Sequence, residues 1–209
     1  MIGSHEELGP ANPIGAALDA GGSGITRRAS GSRSIARMVE PHPLSGRALE
    51  DRRIIHPEQT DRAQVDAFRE IRTRLLALGG EGNFVTMVAP ISPMSGGSFV
   101  ARNLAAAFAF DEAKTALLID CNLRNPSQHA ALGVDAASSG LIDYLEHPQL
   151  GIEKILHHTG IPRLRLIPNG RKREMSGEYF SSFGMRTLMD SLRTRYADRY
   201  IFLDGPAVK

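Results

Sequence analysis

The chain has 209 residues, a length that suits one domain with additions, and its 25 basic and 23 acidic side chains leave a net charge of only +2. A charge this small argues against a surface built for nucleic acid or for an acidic membrane. The single cysteine, Cys121, excludes an internal disulfide framework and fits a reduced compartment. Because no apolar run approaches the roughly 20 residues of a membrane span, we expect a cytoplasmic protein.

The first quarter of the chain differs in composition from the rest. Residues 1 to about 55 are rich in glycine, serine, proline, alanine and arginine and have no sustained apolar period, which predicts a disordered N-terminal arm. From residue 61 onward, Val65, Phe68, Ile71 and Leu75 recur at spacings of three and four, and this pattern predicts an amphipathic helix. We therefore place one domain at residues 56–209.

Residues 84–98 have the frame of a phosphate-binding loop. An apolar strand over residues 84–88 leads to a loop that ends in Gly96-Gly97-Ser98, and a helix follows from about Ser98 to residue 110. In the pattern GxxxxGK[ST], Gly97 stands where the lysine belongs. Because a helix N-terminus attracts phosphate without any side chain, we predict nucleotide binding at Gly96, Gly97, Ser98 and Phe99.

The rest of the chain alternates between strands and helices. Apolar runs predict strands at residues 116–120, 164–168 and 200–204, and the segments between them predict helices that begin at Asn125-Pro126 and cover residues 141–145, 152–157 and 185–196. This order predicts an α/β fold of the P-loop NTPase type, with a mostly parallel sheet and helices on both faces.

Two carboxylates close predicted strands. Asp120 ends the second strand and Asp204 ends the last, and ligands in open α/β sheets bind beyond the carboxyl ends of the strands. Carboxylate and hydroxyl oxygens are suitable ligands for Mg²⁺. We therefore predict that Ser98, Asp120 and Asp204 surround a magnesium site.

Six segments resemble the bacterial tyrosine kinase (BY-kinase) family in sequence order. Residues 66–73 are similar to its E-x-x-R-x-x-R segment, residues 96–105 to G-K-[ST]-x-x-A-x-N-L-A and residues 119–126 to I-D-x-D-x-R-x-P; residues 140–145, 166–170 and 203–206 follow. The resemblance implies Mg-ATP as cofactor and self-association through Asp66, Arg69 and Arg72. It also implies a role in exopolysaccharide biosynthesis with a membrane polysaccharide co-polymerase, a chain-length regulator, as partner. Recruitment to the inner membrane would then occur through that partner.

The departures from the family pattern fall in its catalytic parts. Gly97 replaces the lysine and Asn122 replaces the second aspartate of the second acidic motif, so Asn122 is expected to cap a loop rather than hold a metal. The tyrosine-rich tail and the strands that follow the Asp204 motif in the family are also missing. We therefore predict a degenerate kinase-like protein that acts by binding.

Three alternatives remain open at this stage. The first is an active autokinase or ATPase whose unusual loop takes its cation from residues 171–173 (Arg-Lys-Arg) or, less readily, from Arg102, whose side chain we expect to point away from the loop mouth. The second is a positioning ATPase of the MinD/ParA type, although that class also needs loop lysines. The third is a truncated remnant of a longer gene.

Overall fold

A computed structural model describes residues 38–80, 82–135, 137–170, 177–195 and 198–208. Its core is one five-stranded sheet with the strand order β1-β5-β2-β4-β3. The strands are β1 (Val85–Val88), β2 (Thr115–Asp120), β3 (His157–His158), β4 (Leu164–Ile167) and β5 (Arg199–Asp204). All neighbouring strands are parallel except β3, which runs antiparallel to β4. The mostly parallel sheet predicted from the sequence is thereby confirmed.

Helices cover both faces of this sheet. They are α1 (Gly46–Asp51), α2 (Arg62–Gly79), α3 (Gly97–Ala109), α4 (Gln128–Leu132), α5 (Leu141–Glu146), α6 (Gly177–Ser181) and α7 (Phe183–Arg195). Side chains alternate along the fully buried β2, so Leu118 belongs to the apolar cluster that includes α2 and α3. Leu117 belongs to a second cluster with Leu188 of α7. In the part of the chain that the structure describes, no helix has the length and apolar character needed to span a bilayer.

The packed region begins earlier than the predicted boundary near residue 55. Ile54 and Ile55 are fully buried, and the backbone N–H of Ile55 donates to Oδ1 of the buried Asn103 at 2.8 Å. Farther upstream, the buried Glu40 carboxylate pairs with Arg165 of β4 at 3.0 Å. The disorder predicted for residues 38–55 is therefore wrong, whereas residues 1–37 lie outside the described part of the chain.

Two predicted helices differ in the structure. Residues 152–157 form a short 3₁₀ turn at Ile152–Lys154 and then β3, because His157 and His158 pair with Leu166 and Arg165 of β4. The helix expected to begin at Asn125-Pro126 starts later, at Gln128. Residues 125–127 instead belong to a loop whose backbone is held by the carboxylate that ends β2.

Candidate functional site

The loop between β1 and α3 brings the four predicted nucleotide-binding residues together. Gly96 precedes the helix with φ = 88°, in the left-handed region that glycine adopts without strain. Gly97, Ser98 and Phe99 then form the first turn of α3, where N–H groups have no acceptor inside the helix. The start of α3 can therefore attract an anion through its backbone.

The space beside Gly97 is closed by Pro90. A Cβ atom at position 97 would lie 2.8–2.9 Å from three ring atoms of Pro90, closer than real Cβ contacts. Pro90 is itself anchored, because its carbonyl oxygen accepts a hydrogen bond from the N–H of Val208 at 2.8 Å. A lysine at position 97 therefore requires this loop to change shape. The absence of a side chain at position 97 and the position of the Pro90 ring therefore depend on each other.

Asp120 and Asp204 lie side by side at the carboxyl edge of the sheet, where β2 and β5 pair them directly. Asp204 is fully buried; its Oδ2 accepts from Nε2 of Gln128 at 2.6 Å, and the Ser98 hydroxyl lies within hydrogen-bonding reach. Burial raises the pKa of Asp204, while the contacts with Gln128 and Ser98 oppose that rise. The structure thus brings together three of the predicted site residues, Ser98, Asp120 and Asp204.

The Asp120 carboxylate organises the loop after β2. It accepts backbone N–H hydrogen bonds from Asn122 at 3.1 Å and from Ser127 and Gln128 at 3.0 Å each. The pKa of Asp120 is raised to about 6, chiefly by burial; the three hydrogen bonds oppose the rise, and the neighbouring Asp204 charge adds to it. Asn122 caps the same loop, since its Oδ1 accepts from the N–H of Asn125 at 3.3 Å.

The donor set fits a magnesium ion held by few protein atoms. Oδ1 of Asp204 is buried and has no hydrogen-bond partner among the described residues, and the Ser98 hydroxyl lies nearby. Both oxygens of Asp120 are already engaged by backbone N–H groups. Mg²⁺ commonly takes one or two protein oxygens and completes its shell with water and phosphate. Asp204 and Ser98 would hold it, and the ion would supply positive charge beside a bound phosphate.

Gln128 is a site residue that the sequence analysis missed. Its fully buried side chain donates to the Ser98 carbonyl oxygen at 2.9 Å and to Asp204, and its Oε1 accepts from Arg102 at 3.5 Å. One amide thus connects α3, α4 and the end of β5. A glutamine two residues after a proline carries no sequence signal for these contacts, because both partners are distant in the chain.

A cleft lies beside the loop, between α3 and the segment around α1. It has a volume of about 500 Å³ and is lined by Glu50, Arg53, Ile54, Gln59, Gln64, Gly96, Phe99 and Arg102. Arg102 was expected to point away from the loop mouth, but it lines this cleft with its guanidinium 5.8 Å from the centre of the Phe99 ring. The predicted rescue cluster at residues 171–173 lies outside the described residues.

The three predicted association residues have different surroundings. Asp66 and Arg69 form an exposed ion pair at 3.5 Å on α2. Arg72 instead donates to the carbonyl oxygen of Ala107 at 2.9 Å, which joins α2 to α3 within the chain. Asp66 and Arg69 are therefore open to a partner, while the Arg72 guanidinium already stabilises the domain.

Comparisons with known proteins identify relatives of this domain. The tyrosine-protein kinase wzc of Salmonella typhimurium is 33% identical over 145 residues, which cover 69% of this chain and 20% of that protein. The tyrosine-protein kinase ptk of Acinetobacter johnsonii is 27% identical over 156 residues, 74% of this chain and 21% of that protein. The chain thus spans about a fifth of the length of the curated relatives it matches. No family model matches the sequence.

The fold agrees with these relatives. The crystal structure of the VpsO kinase domain superposes with a TM-score of 0.60 at 27% identity, covering 69% of this chain and 68% of that one. The similar fold and the six family-like segments of the sequence both indicate the same family. The chain belongs to the bacterial tyrosine kinase family.

Proposed function

We propose that this chain is a kinase-like regulatory protein of exopolysaccharide biosynthesis that acts by binding and does not transfer phosphate. Its partner would be the cytoplasmic part of a membrane polysaccharide co-polymerase that controls polymer length. The family suggests the role in exopolysaccharide biosynthesis and the partner, and the residues of this site suggest that phosphate transfer has been lost.

The observation that carries the proposal is the closed space at Gly97. Phosphoryl transfer depends on positioned positive charge at the transferring group, and the P-loop lysine supplies much of it. Here the lysine is absent, and the Pro90 ring lies 2.8–2.9 Å from the position of any Cβ at residue 97. Deleting one preorganised donor costs about 10²–10³ in rate in other enzymes, so losing a full charge should cost at least as much.

The surrounding residues support a binding role. The first turn of α3 still offers backbone N–H groups, and Asp204 with Ser98 could hold magnesium, so Mg-ATP or Mg-ADP could remain a bound ligand. Asn122 caps a loop where the family has an acidic residue, which removes one negative charge from the edge of the site. In this proposal a bound nucleotide would stabilise one conformation of the protein for its partner.

A second candidate is an active kinase or ATPase with an unusual loop. It is favoured by the two arginines of the cleft, Arg53 and Arg102, which are cations close to the start of α3. The two candidates predict different products. Only the second one forms phosphotyrosine or free phosphate from ATP.

The test is made in the bacterium that carries the gene. Deletion should change the length distribution of the exopolysaccharide, measured by gel electrophoresis of the purified polymer, and the wild-type gene should restore it. Phosphotyrosine on this chain, detected by mass spectrometry, should be absent in both the complemented strain and the purified protein. Restored polymer length together with phosphorylation by this chain would reject the binding-only role.

A further inference from the structure

The cleft beside the loop has features that the P-loop pattern does not explain. Its volume of about 500 Å³ lies within the range of small-molecule sites, and its wall combines the apolar Phe99 and Ile54 with charged groups. Gly96 and Phe99 also belong to the loop and first turn of α3. The cleft is therefore continuous with the anion-attracting end of that helix.

Arg102 is incompletely satisfied in this cleft. Its Nε is buried without a hydrogen-bond partner among the described residues, and its contact with Gln128 is long, at 3.5 Å. Burial lowers the pKa of Arg102 most, Asp204 raises it and Arg53 lowers it further. A partly buried guanidinium whose buried Nε lacks an acceptor is costly, and an anion in the cleft would supply the missing acceptor.

Arg53 faces the same cleft from the other side. Its backbone has φ = 55°, a left-handed conformation that is unusual for a residue other than glycine, asparagine or aspartate. Within the described residues its guanidinium makes no hydrogen bond or ion pair, whereas the nearby Glu50 carboxylate pairs with His56 at 3.1 Å. Backbone strain of this kind concentrates at functional sites. Arg53 is thus a second cation available to a ligand.

We propose that Arg53 and Arg102 hold the phosphate groups of a nucleotide in this cleft, as binding contacts that lie outside the loop position where the lysine would stand. The two guanidiniums would donate charge-assisted hydrogen bonds to the phosphate oxygens, which accept them. The inference rests on the proposed function only in requiring a bound nucleotide.

The shape of the cleft favours a nucleotide over a bare phosphate ion. Phe99 and Ile54 provide an apolar wall that a base can cover, and the amides of Gln59 and Gln64 can bond its edges. The start of α3 lies at the same end as Arg102, so a diphosphate could contact both the guanidinium and the backbone. Inorganic pyrophosphate should therefore bind through the same arginines, but more weakly than ADP.

The experiment titrates ADP and pyrophosphate, each with EDTA, into the full chain by calorimetry. Arg53→Asn keeps the left-handed backbone favourable, and Arg102→Gln removes the second charge. Each variant should weaken ADP binding about tenfold or more, as expected for a lost charge-assisted hydrogen bond. Arg47→Ala, an exposed charge on α1 outside the cleft, should bind like wild type.

The outcomes separate this inference from the proposed function. Unchanged ADP affinity in Arg53→Asn, or no ADP binding by wild type, overturns the inference. Pyrophosphate binding as tight as ADP binding would overturn it too, because the site would then recognise a bare anion rather than a nucleotide. Because Arg102 is partly buried, circular dichroism checks that the Arg102→Gln protein is folded. Arg53 is exposed, so the result for Arg53→Asn decides the test even if Arg102→Gln fails to fold. None of these results depends on whether phosphate is transferred.

Discussion

Substitution of Gly97 by alanine tests the closed loop without introducing a charge. Alanine adds only the Cβ atom, which would lie 2.8–2.9 Å from three atoms of the Pro90 ring. At an unconstrained helical position the same change stabilises a protein by about 0.4–1 kcal/mol. At Gly97 we expect the opposite sign, because the added atom must displace a proline ring.

The expected size follows from the cost of overpacking. Inserting a methyl group into a tightly packed place costs about 1–3 kcal/mol, and subtracting the helical gain leaves a net loss of about 1–2 kcal/mol. For a chain of this length, each kcal/mol shifts Tm by about 2–4 °C. Gly97→Ala should therefore lower Tm by about 2–8 °C in a thermal unfolding experiment followed by circular dichroism.

A matched control uses another helical glycine. A Cβ at Gly184 of α7 would lie 3.4 Å from its nearest neighbour, an ordinary contact, so Gly184→Ala should be neutral or slightly stabilising. Pro90→Gly should remove most of the penalty of Gly97→Ala when the two are combined. A Gly97→Ala protein as stable as wild type would refute the idea that Pro90 excludes side chains from position 97.

Two further predictions concern stability. Glu40→Gln should lower the free energy of unfolding in urea by about 3 kcal/mol, because it leaves the largely buried Arg165 without its carboxylate. Asp66→Asn, in an exposed ion pair, should lower it by less than about 1 kcal/mol. Equal losses would show that Glu40 is not part of the packed structure. The pKa of Asp120 is raised from 3.8 to about 6, chiefly by burial. The folded state therefore binds the Asp120 proton more tightly than the unfolded state does, and the contribution of Asp120 to stability falls by up to about 3 kcal/mol as pH rises from about 4 to about 6. The stability difference between wild type and Asp120→Asn, measured by urea unfolding across that range, should decrease with pH; a constant difference would contradict the shifted pKa.

Much of the sheet could be predicted because its strands carry local patterns. The apolar runs that form β2 and β5 are continuous, and parallel strands place their last residues together, so Asp120 and Asp204 could be expected to be neighbours. The helix α2 also follows from apolar spacing, and its N-cap, Asp61, is the predicted first residue. In these elements local propensity and the fold agree.

The errors arose where distant contacts decide the structure. The segment before residue 56 is mostly polar and contains few apolar residues, among them Leu49, Ile54 and Ile55. Its order becomes evident only from the packing of these three side chains in the apolar cluster that includes α2 and α3. His157 and His158 form a strand because β4 offers an edge, although the preceding isoleucines have helical spacing. Such pairings are not encoded within a short window.

The site shows the same division. The loop glycines and the strand-end carboxylates are recognisable from spacing, since their roles depend on the backbone. Gln128 is held by its hydrogen bond to Asp204, which lies 76 residues away in the sequence. Arg53 owes its position to a left-handed backbone conformation with φ = 55°. The contact between the Pro90 ring and position 97 could not be predicted either, because Pro90 lies seven positions before Gly97 in the sequence and only the folded loop brings the two together.

The central claim is that this site no longer transfers phosphate. The most direct measurement is a single-turnover reaction of the purified chain with radiolabelled Mg-ATP and a tyrosine-containing peptide, with Pro90→Gly/Gly97→Lys as the companion variant. We predict that wild type forms neither phosphotyrosine nor free phosphate above the protein-free control. Phosphotyrosine or free phosphate formed by wild type above that control would contradict the account.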